Sequence, residues 1–174
     1  MSAGTAEQWQ QMVAEVRGAA PTARLAVHSR AARRVGELLS QGLPPGVERL
    51  RVMLLRSVTV ETLVPSLVAE LALLGFAAEV EIGPFGSVAQ EILSPASRAY
   101  TGGFDVCAIV ALAEHVLPEA LGHAAVPEES LDGYARQVEQ LAGRFGGLVV
   151  ACTLASPAPQ VAPRRRRSTR RCRC

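Results

Sequence analysis

The sequence predicts an α/β protein built as a three-layer, doubly wound parallel sheet of about four strands in the order 2-1-3-4. Short apolar runs alternate along the chain with segments of helical periodicity, and glycine or proline separates them. With 174 residues, 49% of them apolar, the chain is long enough to form one packed core. Strands that alternate with helices imply right-handed crossovers, and these give the predicted strand order.

The first forty residues predict helical structure, because apolar side chains recur at heptad-like spacing between Leu25 and Leu39. His28 lies on that apolar stripe and is interpreted as a half-buried structural histidine. Gln41–Gly46 ends the helix and forms a linker. We therefore divide the chain into an N-terminal helical segment and linker (1–46), an α/β domain (47–157) and a disordered, arginine-rich tail (158–174).

The first predicted strand, Leu50–Leu55, is apolar and buried. Thr59 or Thr62 is expected to cap the following helix, and Gly75 to end it in the left-handed conformation. The apolar stripe expected on this helix consists of Leu63, Leu67, Leu71 and Leu74. In the second strand, Ala78–Ile82, acidic and apolar residues alternate, which predicts one wet face and a position at the edge of the sheet.

The turn Gly83–Ser87 leads to short helical stretches, and Phe104–Leu112 is predicted as a central strand because it is apolar on both faces. A helix opens at Pro127. Its predicted apolar stripe is Leu131, Tyr134, Val138, Leu141 and Phe145. The fourth strand, Leu148–Cys152, is uniformly apolar although it would lie at an edge. We therefore expect a further strand or another domain to cover it.

The charge of the chain is divided between two regions. All eighteen basic residues are arginine, and seven of them lie between Arg164 and Cys174. The remaining eleven face sixteen acidic residues, so the rest of the chain carries a net charge of −5. An arginine-rich tail can bind nucleic acid or an anionic membrane. The favoured interpretation is instead that the tail is the product of a GC-rich gene read out of frame. Nucleic acid is therefore not the expected partner.

Composition also limits the possible sites and compartments. Cys107 and Cys152 lie in strand-like apolar runs, and no C-x-x-C spacing occurs, so we expect no metal site. The longest apolar run, Val106–Ala113, is too short for a membrane span, and no secretory signal is recognised, so no membrane association is expected. A reducing cytoplasm is the expected location.

Ligands of open parallel sheets bind beyond the carboxyl ends of the strands, where the strand order reverses. That point lies here between strands one and three, so Ser57 and His115 could approach each other as nucleophile and base. The favoured alternative is that Ser57 satisfies backbone donors and that His115 is a solvated turn residue. The loops expected to face a ligand or partner contain Ser57, Thr59, Pro84, Phe85, Gly86 and Glu114.

The segment Leu50–Leu117 resembles the N-terminal region of FkbH-like proteins. The resemblance is carried by a Ser/Thr-containing loop after the first strand, a helix ending in glycine, an aromatic-glycine turn, and a phrase that leads to an apolar strand. In this sequence these features are Ser57 and Thr59, Gly75, Phe85-Gly86, Gln90–Pro95, Ser97, Tyr100 and Asp105–Leu112.

The resemblance implies a part in loading a glyceryl-type three-carbon unit onto an acyl carrier protein during polyketide biosynthesis. It also implies an SGNH- or flavodoxin-like sheet followed by a haloacid dehalogenase (HAD)-type domain that performs the transfer with Mg²⁺. This sequence does not contain that domain. We therefore expect scaffolding or docking, with an acyl carrier protein and a HAD-type domain or protein as partners and no cofactor in this chain. The alternative is a small SGNH-like esterase or thioesterase that uses Ser57 and His115.

Overall fold

A four-stranded parallel sheet forms the centre of the protein. The computed structural model describes residues 3–112 and 128–154 of the chain. The strands are β1 (Glu48–Arg56), β2 (Phe76–Phe85), β3 (Val106–Leu112) and β4 (Leu148–Leu154). They lie in the order β2-β1-β3-β4, and every neighbouring pair is parallel. Both the predicted fold class and the predicted strand order are confirmed.

Helices pack on both faces of this sheet. In the described residues they are α1 (Ala3–Arg17), α2 (Arg24–Gln41), α3 (Val64–Leu73), α4 (Val88–Leu93), α5 (Arg98–Thr101) and α6 (Glu128–Arg144). α1, α2 and α3 share one apolar core with β2, whereas α4, α5 and α6 share a second core with β1 and β3. Because successive strand residues point to opposite faces, Met53 and Leu55 lie in the second core while Val52 and Leu54 point toward α3.

The N-terminal helical segment consists of two helices with a break between residues 18 and 23. α1 buries Trp9 and Met12 in the core that it shares with α2 and α3. His28 of α2 is only 2% exposed, so it is more deeply buried than the half-buried position expected from its stripe. Its Nε2 atom lies 3.8 Å from a carboxylate oxygen of Glu70 on α3. His28 therefore lies at the contact between α2 and α3.

The start of α3 differs from the sequence prediction. Neither Thr59 nor Thr62 caps the helix, since Leu63 occupies the N-cap position and makes no side-chain cap hydrogen bond. The first turn forms instead because the backbone N–H groups of Leu63 and Val64 donate to the carbonyl oxygen of Val60, at 2.8 and 3.2 Å. The helix thus begins from a backbone turn and needs no threonine cap.

The predicted leucine stripe of α3 is not the face that α3 buries in its core. Val68, Ala69 and Ala72 are the residues buried in the core with α1 and α2. Leu74 follows the helix and is 72% exposed. Gly75 takes a φ of +89°, the left-handed conformation expected at the end of this helix.

β2 continues through residues that the sequence predicts as a turn. Gly83, Pro84 and Phe85 belong to the strand, and Phe85 pairs with Arg56 after a shift of register. The turn comes one residue later, at Gly86, whose φ is +71° and whose N–H donates to the carbonyl of Arg56 at 3.1 Å. The pairing with β1 holds these residues in the sheet, and local turn preference alone does not reveal it.

Candidate functional site

Ser57 follows β1 directly and joins it to β3. Its backbone N–H donates to the carbonyl of Val110 at 3.1 Å, and its Oγ accepts the N–H of Leu112 at 3.0 Å. The residue is only 3% exposed. These two contacts extend the β1–β3 pairing beyond the last strand residue, which is the backbone-satisfying role expected of this serine. His115 and Glu114 lie outside the described residues, so the pairing of Ser57 with His115 stays a prediction.

Arg56, the last residue of β1, is a charged residue at this end of the sheet that the sequence patterns do not single out. Its guanidinium lies 2.7 Å from a carboxylate oxygen of Glu61, and its Nε donates to the carbonyl of Gly83 at 3.3 Å. The same guanidinium lies over the ring of Phe85, 5.5 Å from its centre. Arg56 therefore connects the end of β1 to the end of β2 and to the turn that starts α3.

The carboxylate of Glu61 is fixed at both of its oxygens. One oxygen pairs with Arg56, and the other accepts the N–H of Val60 at 3.0 Å. Backbone hydrogen bonding, first of all from the N–H of Glu61 itself, lowers the pKa of this carboxyl, and the Arg56 charge lowers it further. Glu61 thus stays ionised and holds Arg56 against Phe85.

The exposed residues at these strand ends form what we call the carboxyl-end surface: Thr59, Pro84, Phe85 and Gly86. Phe85 is 60% exposed, a large fraction for an aromatic side chain. The hydroxyl of Ser87 donates to the carbonyl of Pro84 at 2.8 Å and so fixes the loop behind the ring. A rigid aromatic side chain next to a cation is typical of a contact surface for another molecule.

The described residues do not assemble a metal centre. They contain no group of three histidine, cysteine, aspartate or glutamate side chains that could hold a metal ion. Cys107 is fully buried, and burial raises the pKa of its thiol to about 11, so it remains an unreactive thiol at neutral pH.

Comparison with solved structures finds a related fold. The structure of the N-terminal part of the protein BF1531 from Bacteroides fragilis, which contains a phosphatase domain and is complexed with Mg, matches with a TM-score of 0.59 and 20% identity. The match covers 73% of this chain but only 32% of that chain. This chain therefore corresponds to about a third of that structure, and at this identity the match shows the fold alone.

Sequence comparisons find no match. No family model matches the chain, and no curated protein is significantly similar to it. None of the described helices is both long and apolar enough to cross a lipid bilayer.

Proposed function

We propose that this chain is a non-catalytic module of the FkbH-like type that takes part in loading a glyceryl-type three-carbon unit onto an acyl carrier protein. It acts by docking the carrier protein and a HAD-type catalytic partner. Support for the first part comes from the resemblance of residues 50–117 to the N-terminal region of those proteins. Support for the second comes from the fold, which is similar to part of a chain that contains a phosphatase domain.

The number and the positions of the aspartates support the proposal that this module is non-catalytic. HAD-type transfer needs a pair of aspartates in D-x-D spacing that holds Mg²⁺. The sequence has only Asp105 and Asp132, and the loop that follows β1 has none. Asp105 precedes β3, at the opposite end of the sheet from the carboxyl-end surface, and its Oδ2 accepts the N–H of Arg51 at 2.7 Å. The donor set of the described residues therefore does not fit a magnesium site.

The carboxyl-end surface is the docking site that we assign to the carrier protein. Phe85 offers an exposed apolar ring, and Arg56 and Glu61 fix its position from behind. Thr59 and Pro84 are exposed at the neighbouring strand ends. A fixed aromatic residue surrounded by small and polar groups matches the usual composition of a contact surface centred on an aromatic anchor.

Reconstitution tests the proposed function. The catalytic domain of a complete FkbH-like protein, produced without its own N-terminal region, is mixed with its carrier protein, a phosphorylated glycerate and Mg²⁺. The glyceryl-loaded carrier is measured by intact mass with and without this chain. We expect the chain to raise the initial loading rate about tenfold, since docking raises the effective concentration of the partners.

Matched variants locate the effect on the surface. Phe85→Ala is expected to abolish the stimulation, whereas Leu25→Ala, on α2 and 62% exposed, should keep it. Equal loading rates with and without the chain would contradict the proposed function.

A second candidate is ester or thioester hydrolysis by Ser57 and His115, because Ser57 does lie at the β1–β3 switch point. Its low exposure and its bond to Leu112 favour docking over this alternative. Hydrolysis of a p-nitrophenyl ester by the full chain, abolished in Ser57→Ala and in His115→Ala, would establish the enzyme. Activity that Ser57→Ala leaves unchanged would exclude this mechanism.

A further inference from the structure

The described arginines fall into two groups. One group interacts with a carboxylate, a carbonyl or a hydroxyl of the chain, and consists of Arg34, Arg49, Arg51, Arg56, Arg98, Arg136 and Arg144. The side chains of Arg17, Arg24, Arg30 and Arg33 make no ion pair, hydrogen bond or ring contact with any described residue. These four are all exposed and lie on α1 and α2. Within the described ranges, the unpaired arginines are therefore confined to the two N-terminal helices.

The same two helices form the basic part of the described chain. Residues 3–46 contain five arginines and three glutamates. The described residues of the α/β domain, 47–112 and 128–154, contain six arginines and eleven acidic residues. A basic region on an otherwise acidic protein attracts anionic partners to that region.

A groove between α1 and α2 contains two of the unpaired arginines. Its volume is about 300 Å³. The buried side chains of Met12 and Ala31 form its floor. Its α1 wall consists of Gln8, Gln11 and Glu15, and its α2 wall of Arg30, Arg33, Arg34 and Glu37. We call this feature the arginine groove.

The charges in the arginine groove are only partly balanced. Nη1 of Arg34 lies 2.9 Å from a carboxylate oxygen of Glu37, so these two charges neutralise each other. Arg30 and Arg33 then remain against the single carboxylate of Glu15, which leaves the groove positive. Because two carboxylates interrupt the positive charge, the groove disfavours the uniform charge of a nucleic-acid backbone. It favours an anion whose charges are separated by uncharged groups.

The spacing of the two unpaired arginines matches that of acidic residues on a helix. Arg30 and Arg33 are three residues apart on α2, which places their Cβ atoms about 5–6 Å apart. Carboxylates three or four residues apart on another helix have the same spacing. The groove extends over about two turns of each wall, or about 10 Å. A third helix can pack along the groove between two helices over such a length.

The residues of this chain outside the described ranges do not match this requirement in sequence. Residues 155–174 contain seven arginines and no acidic residue. Residues 113–127 contain Glu114 and Glu119, whose spacing of five residues is not the spacing that places two side chains together on one face of a helix. Charge excludes the first segment as the occupant of the arginine groove, and spacing disfavours the second.

A second copy of the chain could offer only the acidic start of α6, where Glu128, Glu129 and Asp132 lie three and four residues apart. A contact between that helix and the arginine groove would join two different surfaces. Contacts of this heterologous kind build open chains of molecules unless their rotation closes a ring. A helix from a different protein meets the same chemical requirement without building such an assembly.

We propose that the arginine groove binds an acidic helix of a partner protein, with carboxylates three or four residues apart placed against Arg30 and Arg33. The side-chain amides of Gln8 and Gln11 are available for further polar groups of that helix. The inference is independent of the proposed function, since no residue of the carboxyl-end surface lines this groove. Because the attraction is between exposed charges, binding should weaken as salt is added.

Modification of the full chain by phenylglyoxal, which reacts with arginine side chains, tests the proposal. The probe is an alanine-rich helical peptide of about sixteen residues with glutamates three and four residues apart, and peptide mass mapping reads each arginine separately. At about ten times the Kd of the probe, modification of Arg30 and Arg33 should slow about tenfold, whereas Arg17 and Arg24 should react at unchanged rates. The same peptide with glutamine in place of glutamate should protect none of the four.

A pair of matched variants separates the groove from the general charge of the two helices. Arg30→Gln should raise the probe concentration that protects Arg33 at least fivefold, because it removes one of the two cations in the groove. Arg24→Gln removes the same charge from an exposed, unpaired arginine outside the groove and should leave that concentration unchanged. Circular dichroism checks that both variants fold.

The remaining outcomes overturn the proposal in distinguishable ways. Equal protection of all four arginines would mean that charge alone attracts the probe, and no protection up to millimolar concentrations would mean that the groove has no such ligand. An oligonucleotide of equal charge that protects Arg30 and Arg33 as well as the peptide does would assign the groove to nucleic acid.

The chain without probe tests the two occupants that it could supply itself. Modification of Arg30 and Arg33 that is slower than that of Arg17 and Arg24 at every chain concentration would show that the chain fills its own groove. Slowing that grows with chain concentration would show that a second copy occupies it. All of these outcomes leave the glyceryl-loading experiment unaffected, so the two proposals fail separately.

Discussion

The two edges of the sheet differ in chemistry. At the β2 edge, Glu79 pairs with Arg49 at 2.6 Å and Glu81 pairs with Arg98 at 2.8 Å. At the β4 edge, the strand Leu148–Leu154 carries no charged residue. Charged side chains on an edge strand oppose pairing with another sheet, so the β2 edge is built as a true edge. The β4 edge lacks this protection.

The difference extends to the faces of the outer strands. On the α3 side of the sheet, Ala78 of β2 is only 4% exposed within the first core, whereas Leu148 and Val150 of β4 are 61% and 37% exposed. The helices of the first core thus cover this face of β2. The β4 side has the composition of a surface that another structural element covers.

The largest expected effect compares the two faces of β3. Ile109 is fully buried in the core with α4–α6, and its neighbour Val110 lies on the opposite, α3-side face of the sheet and is half-buried. Ile109→Ala should lower the free energy of unfolding by about 3 kcal/mol, because it leaves a cavity in a closed core. Val110→Ala should cost about 1 kcal/mol, because Val110 is already partly exposed to water and the change removes less buried apolar surface.

Urea unfolding of the full chain measures both variants, and an unchanged m-value confirms that the unfolded reference is the same. If Val110→Ala lowered the free energy of unfolding as much as Ile109→Ala does, the α3-side face of β3 would be as closed as the opposite face. The contrast between the two sides of the molecule would then disappear.

Much of the fold can be predicted from the sequence because the sheet is parallel. Alternating charge in Ala78–Ile82 predicts an edge, and the apolar run of β3 predicts a central strand, and both positions are confirmed. Gly75 predicts the end of α3 because its left-handed φ is a local property of one residue. Patterns that depend on a single strand or a single turn can be recovered from sequence alone.

The parts that could not be predicted depend on residues that are distant along the chain. Arg56 reaches Phe85 only because β1 and β2 pair with a shifted register, and the length of β2 follows from the same pairing. The start of α3 follows from a backbone turn at Val60, which leaves no residue signature comparable to a threonine cap. An arginine at the end of an apolar strand is the local signal that points to Arg56.

A smaller effect concerns the attachment of β4. The N–H of Leu148 donates to the carbonyl of Asp105 at 2.9 Å, which brings the backbone before β4 against the backbone before β3. A side chain at Gly147 would collide with that carbonyl, whereas Gly146 has open space around it. Gly147→Ala should therefore destabilise the chain by about 2 kcal/mol, and Gly146→Ala should change stability little.

Thermal unfolding of the two alanine variants checks this prediction. Hydrogen exchange shows where the chain is destabilised, since Gly147→Ala should speed the exchange of β4 amides and leave the exchange of β2 amides unchanged. Equal melting temperatures for the two variants would mean that β4 does not approach β3 in this way. Slow exchange at every β4 amide of the wild-type monomer would contradict an open edge.

The smallest effect concerns the charged β2 edge. The hydrogen bond from Arg98 lowers the pKa of Glu81 below its usual value of 4.5. A carboxyl whose pKa is lowered in the folded state stabilises the protein above its unfolded pKa, and this contribution is lost as the pH falls through the folded value. Glu81→Gln should therefore be less stable than the wild type at pH 6, and the gap should close as the pH is lowered from about 5 to below 4.

Urea unfolding at several pH values measures this gap, and Glu139→Gln, at an exposed position of α6, is the matched control. The gap should be small and should shrink in high salt, because the pair is largely exposed. A gap that stays constant with pH would mean that the charge of Glu81 does not contribute. The shape of the side chains alone would then protect the β2 edge from pairing with another sheet. The contrast between the β2 and β4 edges would depend on packing and not on charge.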